Sequence, residues 1–283
     1  MPPHSLMSNL VNSYATLADF KAYVTARGQT STTDATDDGI VQYLLVAASR
    51  YIDLHSRRRF YPSIETHLFD IPYGRDMYLD DDLLSVLTFS NGDASAITDY
   101  ILKGRTTPYW CISLRDVANV TWETNSDGSS EQVISLLAYW GYHDLYSQRA
   151  WAQVGTLSSA ITDTTTLAFS ATSGHSIVAG NILRVNNEIY NVVTAETNTI
   201  TPIKRGDNGS TAATHLISAP VYAWQPMEGA KMSCLEIANS AYKKRFGQSV
   251  GESATITGAG VVLTPRDIPA TAQAFIASMV PLL

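Results

Sequence analysis

The sequence predicts an α+β fold: a helical bundle built from both chain ends, a β-rich middle region, and an inserted all-β domain. Three observations predict it. Apolar residues recur at helical spacing near both ends, short β-rich runs broken by turn dipeptides fill residues 64–142, and a Thr/Ser/Asn-rich stretch of alternating pattern occupies 155–225. The boundaries that follow are 1–150 plus 226–283 for a discontinuous main domain and 151–225 for the insert.

Residues 1–15 are polar and irregular and read as a flexible arm. Thr16 is an expected N-cap, because its hydroxyl can take an orphan amide and Asp19 three places on completes a capping box. Leu17, Phe20 and Val24 follow at helical spacing, and Gly28 stops the helix. Asp37 is the next expected cap. Ile40, Val41, Leu44, Leu45, Ala47, Ala48, Tyr51 and Ile52 then form a stripe covering more than half of a helix, which predicts burial between neighbours. Arg57-Arg58-Arg59 put cations at its negative end.

Strands are expected at 67–69, 77–79, 85–89, 100–102, 110–114 and 133–139, with turns at Pro72-Tyr73-Gly74, Asn91-Gly92, Lys103-Gly104 and Asp127-Gly128. Asn91-Gly92 is the strongest hairpin signal. In the insert, runs at 182–185, 188–193 and 199–203 read as antiparallel strands joined at Asn186-Asn187 and Thr197-Asn198, with a further turn at Asn208-Gly209. Pro226 suits a helix first turn, Met232, Leu235, Ala238 and Tyr242 repeat at three and four, and Gly247 ends the run. A Gly-rich hinge (Gly251 to Gly260) precedes Thr264 to Pro269, which opens a last helix of Ala272, Phe275, Ile276 and Met279.

Among 283 residues, 19 are Lys or Arg and 26 Asp or Glu, so the formal charge is −7. That disfavours a protein that grips nucleic acid by neutralising phosphates. Charged residues are 16% of the chain, against about 25% in an average soluble domain. A surface so poor in charge is either Ser/Thr-rich or covered by other chains. Cys111 and Cys234 match no metal or redox spacing and are expected as reduced, buried thiols. No apolar run reaches 18 residues, and the first residues lack a signal-peptide pattern, so a protein assembled in a reducing compartment without membrane contact is expected.

No catalytic set emerges, and no cofactor is expected. Six histidines are scattered without paired metal spacing. His143-Asp144 near Ser147 lacks the elbow of a hydrolase nucleophile. Asp80-Asp81-Asp82 has no loop glycine or distal Glu for a cation and reads as a solvated turn, while Arg205-Gly206-Asp207 reads as part of a turn, not as an adhesion motif. Trp224, Tyr190 and Tyr222 could stack on a glycan or fill the core of the insert.

The order of elements resembles a family. Thr16-Leu17 with Phe20, Asp37-Asp38 opening a helix with Ala47-Ala48 and Tyr51-Ile52, then Arg59-Phe60, are similar to the N-terminal half of tailed-phage head–tail connector (adaptor) proteins. Tyr78-Leu79, Leu84-Ser85-Val86, Asp99-Tyr100 and Tyr139 to Tyr142 resemble its β region, and Pro226 to Arg245 with Thr264-Pro265 and Asp267-Ile268 its C-terminal half. Residues 155–225 are absent from shorter members.

The resemblance implies a structural virion protein of the neck, not an enzyme. Assembled in the host cytoplasm as a ring of twelve copies beneath the portal protein, it extends the DNA channel and gives a tail or stopper protein its platform. Double-stranded DNA passes without specific binding. On that basis Phe275, Ile276, Met279, Leu282 and Leu283 are candidates for portal docking. Arg57, Arg58, Arg59, Tyr43 and Tyr51 are candidates for the subunit interface, and Asp80, Asp81 and Asp82 for the channel lining. The alternative is a glycan- or host-surface-binding virion protein using the insert.

Overall fold

A computed structural model describes residues 10–27, 35–116, 120–245, 256–257, 260–261 and 268–281. In chain order the elements are α1 (Leu17–Ala26), α2 (Ala35–Ser56), β1 (Ser63–Phe69), β2 (Asp76–Ser90), β3 (Tyr100–Lys103), β4 (Tyr109–Leu114), β5 (Ile134–Trp140) and α3 (Tyr146–Arg149). Then come β6 (Trp151–Thr156), β7 (Phe169–Ser170), β8 (Ile182–Val185), β9 (Glu188–Ala195), β10 (Thr199–Pro202), β11 (Pro220–Trp224), α4 (Glu228–Arg245), β12 (Ile256–Thr257), β13 (Gly260–Val261) and α5 (Ala270–Met279). Among the described residues strand accounts for 31% and helix for 26%, and two antiparallel sheets of five and six strands dominate. The expected helical bundle is therefore corrected to a mostly β architecture. Only α2 and α4 are long helices, of 22 and 18 residues, whereas every strand but β2 has eight residues or fewer.

The chain divides into two compact units. One comprises 1–57, 151–207 and 211–283, the other 58–150 with Asn208–Ser210. Residues 151–207 thus group with the helices in the first unit.

In the first unit, Thr16 caps α1 through the expected reciprocal box with Asp19. Helix α2 begins at Ala35, two residues before the expected cap, and leaves Asp37 in its first turn, where it accepts a hydrogen bond from the Tyr242 hydroxyl at 2.9 Å. Val41, Leu44, Leu45, Ala48 and Ile52 are buried, as the stripe predicts. Helix α2 packs on α4, and α5 on both, so helices from the two chain ends do meet. Gly28, Gly247, Thr264 to Asp267, Leu282 and Leu283 lie outside the described residues.

The six-stranded sheet runs β6-β11-β8-β9-β10-β7. Strand β7 also bonds back beyond the end of β6: Leu157 bridges Ala171, Ser158 N–H donates to the Ser170 carbonyl at 3.0 Å and Thr172 N–H to that of Thr156 at 2.9 Å. The sheet closes into a small barrel around Leu157, Phe169, Leu183, Val185, Val192 and Val221. Asn186-Asn187 makes the expected two-residue turn, with Asn186 at φ 52° and Val185 opposite Glu188.

Residues 10–15 correct another expectation. Leu10, Asn12, Ser13, Tyr14 and Ala15 are buried, not a flexible arm. Asn12 N–H donates to the Asn191 side chain at 2.9 Å and its carbonyl accepts from Arg50 at 2.8 Å. Tyr14 N–H donates to the Ser49 hydroxyl at 3.0 Å. The segment is a strap tied to α2 and the barrel. Gly180 lets it approach, since a Cβ there would meet Leu10 at 2.7 Å.

In the second unit the sheet order is β1-β5-β2-β4-β3, around a core of Met77, Leu83, Phe89, Ile112, Ile134, Leu136 and Trp140. The runs expected as two strands at 77–79 and 85–89 are one, β2, whose pairing with β4 shifts between Tyr78 and Leu83. Asn91-Gly92 turns the chain, but into the single bridge Ser90–Ala96, not a regular hairpin. Its amide clamps a neighbouring segment: Asn91 Oδ1 accepts from Glu123 N–H at 2.8 Å and Nδ2 donates to the Thr121 carbonyl at 2.8 Å. Gly92 permits this because a Cβ there would lie 2.2 Å from the Glu123 carbonyl oxygen.

Candidate functional site

The expected channel-lining residues and two of the five subunit-interface candidates, Arg58 and Arg59, form one cluster in the second unit. Strand β2 carries Asp80, Asp81 and Asp82 through its irregular middle, so the run is part of a strand and not a solvated turn. Arg58 donates to Asp82, and Arg59 to both Asp81 and Glu65, the latter at 2.8 Å. His67 reaches Asp80 at 2.9 Å and stacks on Trp140 with ring centroids 4.0 Å apart. Burial raises the Asp82 carboxyl above the ordinary range, outweighing the Arg58 hydrogen bond. Burial works to lower Arg59, but the Asp81 charge and the hydrogen bonds of both carboxylates raise it. Two of the three negative charges are thus matched within the chain, and Asp80, with 65% of its side chain exposed, is the solvent-facing carboxylate of the run.

Of the other interface candidates, Arg57 follows α2 in the left-handed region (φ 55°) and is exposed. Tyr43 stands 41% exposed on α2, while Tyr51 is half-buried and stacks on His55 at 3.9 Å. Among the docking candidates, Ile276 is buried, and Phe275 lies over α4 at Gly229, where a Cβ would meet its ring at 2.3 Å. These two side chains serve α5 packing within the chain. Met279 is half-buried and Val280 is 38% exposed.

The sequence did not point to the apolar groups that regular elements leave in water. Tyr78 and Trp110, on β2 and β4, are stacked at 5.9 Å and 66% and 54% exposed, and Ile101 of β3 is also exposed. In the first unit Leu54 of α2 and Met232 of α4 are exposed, although Met232 falls on the expected buried stripe.

The densest polar chemistry lies inside the barrel. Glu188, with no exposed side-chain surface, accepts from Arg205 Nε at 2.7 Å and Nη2 at 3.0 Å, from Gly206 N–H at 3.0 Å, Ala213 N–H at 2.9 Å and His215 Nε2 at 2.9 Å. Arg205 also donates to the carbonyls of Asp163, Thr166 and Ala213. Burial works to raise the Glu188 carboxyl, but the hydrogen bonds from His215, Arg205 and the two amides hold it well below the ordinary range. Arg205-Gly206-Asp207 is therefore a structural knot that ties three loops, and Asp207 is itself buried on Asn191. Tyr190 and Trp224, candidates for stacking on a glycan, are buried, and Tyr222 is half-buried beneath the Arg184 guanidinium, so the three do not form an open platform.

A cavity of about 50 Å³ lies between Thr16, Asp19, Asn181, Gln225 and Lys231. It has room for a few waters. Among the described residues no group of His, Cys, Asp and Glu could hold a metal ion, and no helix is long and apolar enough to cross a membrane. Cys111 and Cys234 are free and buried as expected, and burial pushes the Cys234 thiol up to about 12. No family model, curated protein or solved structure matches this chain.

Proposed function

We propose that this chain is a structural particle protein, a head–tail connector subunit that assembles as a ring beneath a portal, extends the DNA passage and carries the tail platform. The observation that carries the proposal is the set of apolar side chains left uncovered on regular elements: Tyr78, Trp110 and Ile101 on one unit, Tyr43, Leu54 and Met232 on the other. Tyr, Trp and Met are the residue types enriched where proteins meet. A ring needs two different surfaces on each subunit, joined head to tail. The chain offers separate apolar surfaces on separate elements, with a charged fraction low enough to bury them cheaply.

Passage of DNA then depends on the net charge of −7 more than on the Asp80 run, since Arg58 and Arg59 offset two of its charges. An acidic wall repels a duplex carrying about one negative charge per 1.7 Å and leaves it free to slide. The test is electron microscopy of the chain mixed with isolated portal. A ring of density added to the portal supports the proposal, and portal particles identical with and without the chain reject it.

A further inference from the structure

We infer that the turn Leu216–Ala219, at one end of the barrel, is a self-association contact that inserts into a neutral apolar surface of another copy of this chain. The inference rests on the ring reading above and names one contact of its seam.

Leu216 and Ile217 are adjacent and 80% and 60% exposed, the most open pair of large apolar side chains on the barrel. They sit on a tight turn in which Ala219 N–H donates to the Leu216 carbonyl at 3.2 Å, and Ser218 occupies φ 66°, a conformation that ordinarily selects glycine. Both flanks are pinned. Ser218 N–H donates to the Leu157 carbonyl and Leu157 N–H to that of Ala219, each at 2.9 Å. His215 and Ile161 exchange two backbone bonds of 2.9 Å. Two residues before His215, Ala213 gives its N–H to Glu188 and its carbonyl to Arg205. The buried ion pair thus holds an apolar tip out in water, where a loose loop would fold it away. A contact presented in this way loses little conformational freedom on binding.

Charge identifies the occupant. Residues 209–219 include no Asp, Glu, Lys or Arg, and His215 is buried. The stretch 155–225 holds three basic and four acidic residues, a net −1 of the chain's −7. Copies that share a negative charge repel least through this surface. Nucleic acid or an anionic bilayer would call for a basic rim that the turn lacks. Two side chains cover far less than the roughly 800 Å² per partner of a self-sufficient interface. The turn therefore strengthens a seam made elsewhere, and the gain multiplies when many copies close together.

The experiment compares full-length wild type, Leu216→Ser/Ile217→Ser and Leu216→Asp by sedimentation velocity over a concentration series, alone and with isolated portal. Thermal unfolding checks that the barrel is intact, as expected for exposed positions. The double variant should need on the order of tenfold more protein for half-assembly, and Leu216→Asp more again. Variants that assemble like wild type overturn the inference and leave the ring reading standing. Variants that self-associate normally but lose the portal also overturn it, by assigning the turn to the portal. A wild type that never assembles, with portal present, overturns both.

Discussion

Replacing Arg205 by Met separates a buried ion pair from its surroundings. The guanidinium supplies two of the five hydrogen bonds that Glu188 accepts and three more to the carbonyls of Asp163, Thr166 and Ala213. Removing one partner of a buried pair costs about 3–5 kcal/mol, because the remaining charge stays in a poorly solvating interior. Glu188 keeps Gly206 N–H, Ala213 N–H and His215, which puts Arg205→Met near the lower end, about 3 kcal/mol. Against a total of about 5–15 kcal/mol for a typical protein, that is a large loss. Urea unfolding followed by fluorescence measures it. Arg205→Met combined with Glu188→Gln should recover at least half of the loss, since no full charge is then left buried. An Arg205→Met midpoint equal to that of wild type would refute the reasoning, as would a double variant weaker than the single one. The pH dependence has a definite sign. The Glu188 carboxyl is depressed in the folded state below its ordinary 4.5, so its contribution is complete above 4.5 and is lost as pH falls through the folded value. Stability from this group is therefore flat between pH 7 and pH 5, and the acid-side slope of Arg205→Met is shallower than that of wild type.

Gly229→Ala should lower the unfolding free energy by about 1–3 kcal/mol, seen as a lower thermal midpoint, because the new Cβ meets the Phe275 ring at 2.3 Å and displaces α5; a stabilised variant, the ordinary result of Gly to Ala in a helix, would contradict that packing. Gly92→Ala should cost at least about 2 kcal/mol in urea unfolding, since the Glu123 carbonyl 2.2 Å from the new Cβ is backbone and must move with its segment. Thr16→Ala removes the side-chain half of the α1 capping box, leaving the bond from its backbone N–H to the Asp19 carboxylate, and should cost about 1 kcal/mol by the same assay. Both thiols should resist alkylation at pH 8 in the native state and react together in denaturant, because Cys111 and Cys234 are fully buried and their thiols are raised by burial.

Local chemistry was legible and non-local chemistry was not. The Thr16/Asp19 box and the Asn186-Asn187 turn were readable because their partners lie within three residues. The Asp80 run looked like a solvated turn because three like charges in a row suggest water, and the arginines that offset Asp81 and Asp82 lie 22 and 24 residues away. Residues 10–15 looked free because their partners, Ser49 and Asn191, lie in a distant helix and strand. Fold class is hard to read for a related reason. Helix α2 announces itself over 22 residues, whereas strands such as β7, β8 and β10 span two to four residues each and close only through each other. The buried knot was hidden because Glu188, Arg205 and His215 are ordinary in sequence and become a unit only when the barrel forms.

Native mass spectrometry of the purified full-length chain mixed with isolated portal weighs the assembly directly. A single closed species with a fixed whole number of copies per portal is the outcome expected here; masses of free portal and free monomer alone, at every mixing ratio, would contradict it.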